Sequence, residues 1–143
     1  MCSSDLDRPG LAAKIFGALS KGAIVVDVIV QDVPANGLVT VSFTVGKTDH
    51  LKARQVLEEI RRDAEFKDLR VVETAELAKV SIVGVGMQHH PGVASRMFGL
   101  LAEAGINIQL ISTSDIRITC VVASAQVDDA VRALHEAFAL DQA

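Results

Sequence analysis

The sequence predicts an α+β fold of two tandem ferredoxin-like βαββαβ units, the first lacking its first strand. Three observations predict it. One block occurs twice: "DRPGLAAKIFGAL" (Asp7–Leu19) and "HHPGVASRMFGLL" (His89–Leu101) align without a gap at a step of 82 residues. That step takes Pro9 to Pro91, Gly10 to Gly92, Phe16 to Phe98, Leu19 to Leu101, Ile24 to Ile106 and Ile29 to Ile111, which argues for two copies of one structural unit. Helical and strand periodicities then follow each other in the same order in both copies. Finally, 50% of the 143 residues are hydrophobic, enough for one or two small cores.

Each copy opens with Pro-Gly, and Pro is tolerated in a first helical turn because its missing N–H has no partner there anyway. Leu11, Ile15, Ala18 and Leu19 then form one helical face, as do Val93, Met97, Leu100 and Leu101. Gly22 and Gly105 are the expected stops. "IVVDVIV" (Ile24–Val30) and "INIQLIS" (Ile106–Ser112) are β-branched and apolar, as buried strands are. A turn is expected at Pro34–Gly37. Val39, Val41, Phe43 and Val45 alternate with polar residues, and Ile116, Ile118, Cys120 and Val122 repeat the pattern, so both strands are expected to have one wet face. A second helix closes each copy, with stripes Ala53, Val56, Leu57, Ile60 and Val127, Val131, Leu134, Phe138. Asp128 and Asp129 suit the positive start of the latter. Leu69–Val72 reads as a short last strand, Glu73–Ala78 as the joint, and Val80–Gly86 as the first strand of copy two. The first unit is placed at residues 7–74, the linker at 75–79 and the second unit at 80–143. Residues 2–6, Cys-Ser-Ser-Asp-Leu, also translate the sequencing-adapter string TGC-TCT-TCC-GAT-CT, so residues 1–6 are expected to be a non-native or disordered start.

Composition narrows the function. A net charge of −4 and a pI near 5.5 argue against nucleic acid or an anionic membrane as partner. Five Phe with no Trp or Tyr leave no base-stacking platform. Cys2 and Cys120 are too few for a disulfide scaffold, and a reducing cytoplasm is the expected compartment. No apolar run is long enough to span a bilayer. "GVGMQH" lacks a third glycine and no GxxxxGK[ST] loop is present, so no nucleotide cofactor is expected. His89 and His90 are adjacent, with no cysteine or carboxylate at ligand spacing, so no metal site is expected. Cys120 reads as a core residue rather than a nucleophile.

The two places where chemistry could live are the junctions "DRPG" and "HHPG". A helix start presents free N–H groups and a partial positive charge, which suit a carboxylate. Asp7 beside it could hold an ammonium, and together they fit the charged ends of a free amino acid. The plainer reading is that Asp7 only caps the helix.

Taken together, "DRPGLAAKIFGAL", "VDVIVQDV", "SFTV" and "KVSIVGVGMQHHPGVASRMFGLLAEAGINIQLISTSDIRITCVV" resemble the tandem ACT domains of aspartate kinase, from Asp7 to about Leu140. The match is to the regulatory region or separate β subunit, without the kinase domain and its ATP and aspartate sites, so this chain is not expected to be an enzyme by itself. The resemblance implies feedback control by threonine, lysine or both, bound where two chains pair through their ACT domains, and a catalytic domain or α subunit as partner. It implies an effector site at Asp7, Gly10, Ala12 and Gln31, completed by Asn107 and Ile108 of the other chain. A second site would use Val93, Ala94, Ser114 and Asp115.

Two departures stand out. Gly105-Ile106-Asn107 has the counterpart Ala23-Ile24-Val25, which loses the amide of Asn. Pro34 stands where the family often has Ser, and it cannot donate a backbone hydrogen bond. A missing first strand predicts marginal stability or dimerisation to cover the gap. The competing readings are an ACT module of another amino-acid enzyme, an acylphosphatase-like or metal-dependent enzyme on the same fold, and a fragment without function. The "GVGM…HPGV" and "ISTS" blocks weigh against the first. The second needs a catalytic Arg and Asn at an anion-binding loop, and neither helix start has that pair.

Overall fold

A computed structural model describes residues 2–4, 9–32 and 39–138. The chain divides into two compact units, Met1–Glu73 and Thr74–Ala143. The first contains β1 (Cys2–Ser4), α1 (Leu11–Lys21), β2 (Val26–Asp32), β3 (Val39–Val45), α2 (His50–Arg61) and β4 (Arg70–Val71). Its sheet runs β2-β3-β1-β4, with every pairing antiparallel. The second contains β5 (Leu77–Val83), α3 (Val93–Glu103), β6 (Leu110–Thr113), β7 (Arg117–Ala123) and α4 (Val127–Ala137), with its sheet in the order β5-β7-β6. This is the expected ferredoxin-like order, in which the first and third strands lie side by side and antiparallel.

The first strand of unit one is rudimentary. Three residues stand where unit two has seven. Cys2–Ser4 pair with β3 on one side and β4 on the other. The ladder needs only main-chain groups, which Cys and Ser supply as well as Val does.

Each unit buries its own core. Leu11, Ile15 and Leu19 of α1 meet Val39 and Val41 of β3, Ala53 and Leu57 of α2, and Ile24, Phe66 and Leu69. In unit two Met97 and Leu101 meet Ile118, Cys120, Val122, Ala130 and Leu134. The α1, α2 and α3 stripes are as expected. In α4 the inward residue is Ala130, fully buried, while Val131 is 49% exposed. Ala130, Leu134 and Phe138 keep helical spacing on the inward face, through a small residue that a pattern of large apolar side chains does not mark.

Several boundaries differ. β5 begins at Leu77, because Leu77 and Ala78 pair with Ala123 and Val122, and it ends at Val83 rather than Gly86. β6 begins at Leu110 although Ile106 is buried. β7 starts at Arg117, leaving Ile116 in a turn and 51% exposed. Nor does β7 have a wet face: Thr119 and Val121 are buried as well as Ile118, Cys120 and Val122. Thr119 remains satisfied, its hydroxyl 2.7 Å from that of Ser81. The turn at Pro34–Gly37 lies outside the described residues.

Candidate functional site

The two helix starts share one geometry. Gly10 precedes α1 at φ +98° and Gly92 precedes α3 at φ +95°, the left-handed region that only glycine enters without strain. Among the described residues, a Cβ at either glycine would meet nothing within 4 Å, so the residue is required for its backbone. No side-chain cap hydrogen bond is made at either helix start among the described residues. The first turn closes instead through the backbone, Lys14 N–H donating to the Gly10 carbonyl at 3.0 Å and Arg96 N–H to that of Gly92 at 2.8 Å. Amides at such a start remain available to an anion.

The far ends match as well. Ile24 N–H donates to Leu19 O (3.0 Å) and Ala23 N–H to Ser20 O (2.9 Å); Ile106 N–H donates to Leu101 O (2.8 Å) and Gly105 N–H to Ala102 O (2.9 Å). These are Schellman closures, each with an apolar contact inside the core. The left-handed residue is Gly105 in one copy, but Ala23, at φ +54°, in the other.

The structure groups the expected site residues by sheet end. Asp7 lies outside the described residues. Gly10 is exposed and Ala12 half-buried at the start of α1, while Gln31 is exposed on β2 opposite Val41. Gln31 sits where β2 runs out, one residue before the Asp32–Thr40 pair and at the end where β1 leaves the sheet beside Val39. In unit two Val93 and Ala94 are half-buried at the start of α3, and Ser114 and Asp115 are exposed in the β6–β7 turn. That turn is fastened by Ser114 N–H to Arg117 O (2.7 Å) and by Gly84 N–H to Ile116 O (2.9 Å). The second bond ties it to the chain leaving β5 for α3.

Asn107 and Ile108 lie at the other end. They connect α3 to β6, outside the ladder, since the first bond to β7 comes from Gln109 N–H to Val121 O at 2.8 Å. Asn107 is exposed and Ile108 half-buried. An α-helix of 11 residues is about 16 Å long, so the start of α3 and Asn107 are too far apart for one free amino acid to touch both. The counterpart loop in unit one offers Val25, 75% exposed, in place of Asn107.

Two residues escaped the sequence reading. Lys14 and Arg96, also 82 apart, each place a cation over a phenylalanine ring, Phe66 and Phe138 respectively. A cation four residues after the Pro-Gly glycine in both copies was the available signal. Elsewhere, burial pushes the Cys120 thiol pKa up, which fits a core residue and disfavours a nucleophile. Among the described residues no group of three or more His, Cys, Asp or Glu side chains could hold a metal ion. None of their helices is long and apolar enough to cross a membrane.

Comparison with known proteins places this geometry. The ACT domain family matches residues 80–138. The chain is similar to the aspartate kinase Ask_LysC of Stutzerimonas stutzeri, 48% identical over 135 residues, which cover 94% of this chain and 32% of that protein. It thus spans about a third of the length of such curated relatives. Among solved structures it is similar to aspartate kinase from Synechocystis, with 40% identity and a TM-score of 0.85 over 97% of this chain and 25% of that one. It is also similar to the ligand-free regulatory subunit of aspartate kinase from Thermus thermophilus, with 39% identity and a TM-score of 0.83 over 92% of this chain and 85% of that subunit. The likeness to that subunit extends over both units and nearly its whole length, and the chain therefore belongs to the aspartate kinase family, as its regulatory region built of ACT domains.

Proposed function

We propose that this chain senses threonine, lysine or both for feedback inhibition of an aspartate kinase, binding the effector where two copies of the chain meet through their ACT domains. The observation that carries the reading is the separation just described. The open helix start at Gly10 and the polar loop at Asn107–Ile108 each offer part of an amino-acid site, and one free amino acid cannot touch both a helix start and the loop at the far end of the same unit. Gly10 and Ala12 supply amides for the carboxylate, Asp7 takes the ammonium and Gln31 bonds a side-chain hydroxyl. Asn107 and Ile108 of a second copy close the site. Val93, Ala94, Ser114 and Asp115 form a second site of the same kind.

The module does no chemistry of its own and uses no cofactor. It acts on a catalytic domain or separate catalytic subunit by binding effector more tightly in one of two states. Its setting is the cytoplasm, and neither nucleic acid nor membrane is a partner.

Isothermal titration with threonine, lysine and their mixture, alongside sedimentation of the same samples, tests this. Saturable binding with tighter dimerisation supports the reading and names the effector. Intact dimers that bind neither amino acid refute it. Asp7→Ala should weaken binding with the fold intact; a stability loss of about 0.5–2 kcal/mol without a selective change in binding would reduce Asp7 to a helix cap.

A further inference from the structure

In both units the cation that follows the left-handed glycine reaches the chain leaving the second helix. Lys14 Nζ lies 5.2 Å from the centroid of the Phe66 ring and forms an ion pair with Glu65. Arg96 Cζ lies 4.7 Å from the centroid of Phe138, and its guanidinium donates to the Ala137 carbonyl in the last turn of α4. Phe66 belongs to a 3-10 turn, Ala64–Phe66, beyond α2, whereas Phe138 directly caps α4. The same contact is thus reached by different sequence means.

Lys14 and Arg96 are also the residues whose N–H groups close the first turn onto Gly10 and Gly92. One residue therefore holds the peptide of the open helix start with its backbone and the exit of the second helix with its side chain. Among the described residues, a Cβ built on either glycine meets nothing within 4 Å. In unit one the exit leads into β4, which pairs with β1. Each tie joins a cation over a ring to one polar contact at a partly exposed site, where such contacts are individually weak. A weak tie can be biased by a ligand, whereas a rigid one cannot.

We propose that Lys14 and Arg96 are positioning residues that pass effector occupancy at the two helix starts to the chain leaving the second helix, residues 64–71 in unit one and 137–138 in unit two. This rests on the amino-acid-sensing reading above. The test is hydrogen exchange on the full chain, with threonine and lysine as probes. In the wild type, ligand should slow exchange at residues 64–71 by roughly tenfold. Lys14→Met keeps the aliphatic stem and removes the charge. It should abolish that slowing while the Kd stays within about twofold, and Lys14→Arg should restore it. Arg96→Met and Arg96→Lys should do the same at residues 137–138.

Slowing that survives in Lys14→Met overturns the proposal, as does ligand binding that leaves residues 64–71 unchanged in the wild type. If neither amino acid binds, the sensing reading fails and the coupling is read without ligand. Gly10→Ala strains the first turn and should then speed exchange at residues 64–71 by roughly tenfold with Lys14 present, but not with Lys14→Met. An equal change in both backgrounds, or none in either, overturns the coupling itself.

Discussion

Ala23→Gly should stabilise the first unit. Ala23 occupies the left-handed position of the α1 Schellman closure at φ +54°. An L-residue there is disfavoured by about 1–2 kcal/mol. Glycine removes that strain but loosens the unfolded chain, which offsets about 0.4–1 kcal/mol. The net expectation is a gain of about 0.5–1 kcal/mol. The second copy supplies the mirror experiment. Gly105 holds the same position at φ +71°, and a Cβ there meets nothing within 4 Å, so Gly105→Ala introduces strain alone and should cost about the same amount. The neighbouring glycine explains why copy one tolerates the alanine. A Cβ at Gly22 would lie 3.3 Å from Ile24 Cδ1 and from the Leu19 carbonyl oxygen, and 3.4 Å from Val56 Cγ2. Copy one spends its glycine on space, and copy two, with Ala104 at that place, on backbone angle. Urea unfolding followed by circular dichroism reads both variants, and an m-value equal to wild type shows that the unfolded state is comparable. A midpoint unchanged or lowered by Ala23→Gly would refute the strain argument.

Three further expectations follow from the same structure. Val25→Asn restores an amide on an exposed loop and should add effector sites, seen as a higher titration stoichiometry; an unchanged stoichiometry refutes the reading of that departure. Leu101→Ala empties a fully buried position and should cost about 2–5 kcal/mol in thermal or urea unfolding, whereas Val131→Ala on the exposed side of α4 should stay within about 0.5 kcal/mol; similar losses for both would contradict the assigned helix face. The Cys120 thiol, whose pKa is raised by burial, holds its proton to higher pH in the folded chain than in the unfolded one. Stability should therefore fall as pH rises above the ordinary thiol range, and Cys120→Ala should flatten that slope in unfolding measured across alkaline pH.

The repeat made the fold legible. An ungapped step of 82 residues fixed the two helix starts and their stripes in both units, and the glycine at each helix end marked the stop to within one residue. Periodicity erred where a small residue or a buried polar one broke its assumptions. Ala130 carries too little apolar surface to register as core, yet a helix packed closely on its neighbour needs a small residue there. Thr119 reads as solvent-facing from its place in the alternation, but it is buried, and the Ser81 hydroxyl satisfies it. Within the candidate site, the residue types at Gly10, Gln31 and Asn107 were readable. The placing of Gln31 at the helix-start end was not, because it depends on strand pairing, whereas the distance of Asn107 from a helix start follows from helix length. The ring contacts of Lys14 and Arg96 were hidden because Phe66 and Phe138 stand at unequal distances from them along the chain.

The two copies also act as controls for each other. What they share despite different side chains points to geometry that the unit requires: the left-handed glycine, the Schellman bonds, and a cation reaching over a ring. Where they differ at equal geometry, the constraint is local. Ala23 and Gly105 close the same turn, so that difference belongs to stability. Val25 and Asn107 follow the same turn and face solvent alike, so packing does not explain why one is apolar. An exposed valine gains nothing from water, and an exposed asparagine has unused donors and acceptors. The asymmetry makes sense if only the Asn107 loop meets a polar ligand while the Val25 loop meets an apolar surface. Effector stoichiometry in Val25→Asn and in Asn107→Val should then move in opposite directions, and a common direction would assign both loops to folding alone.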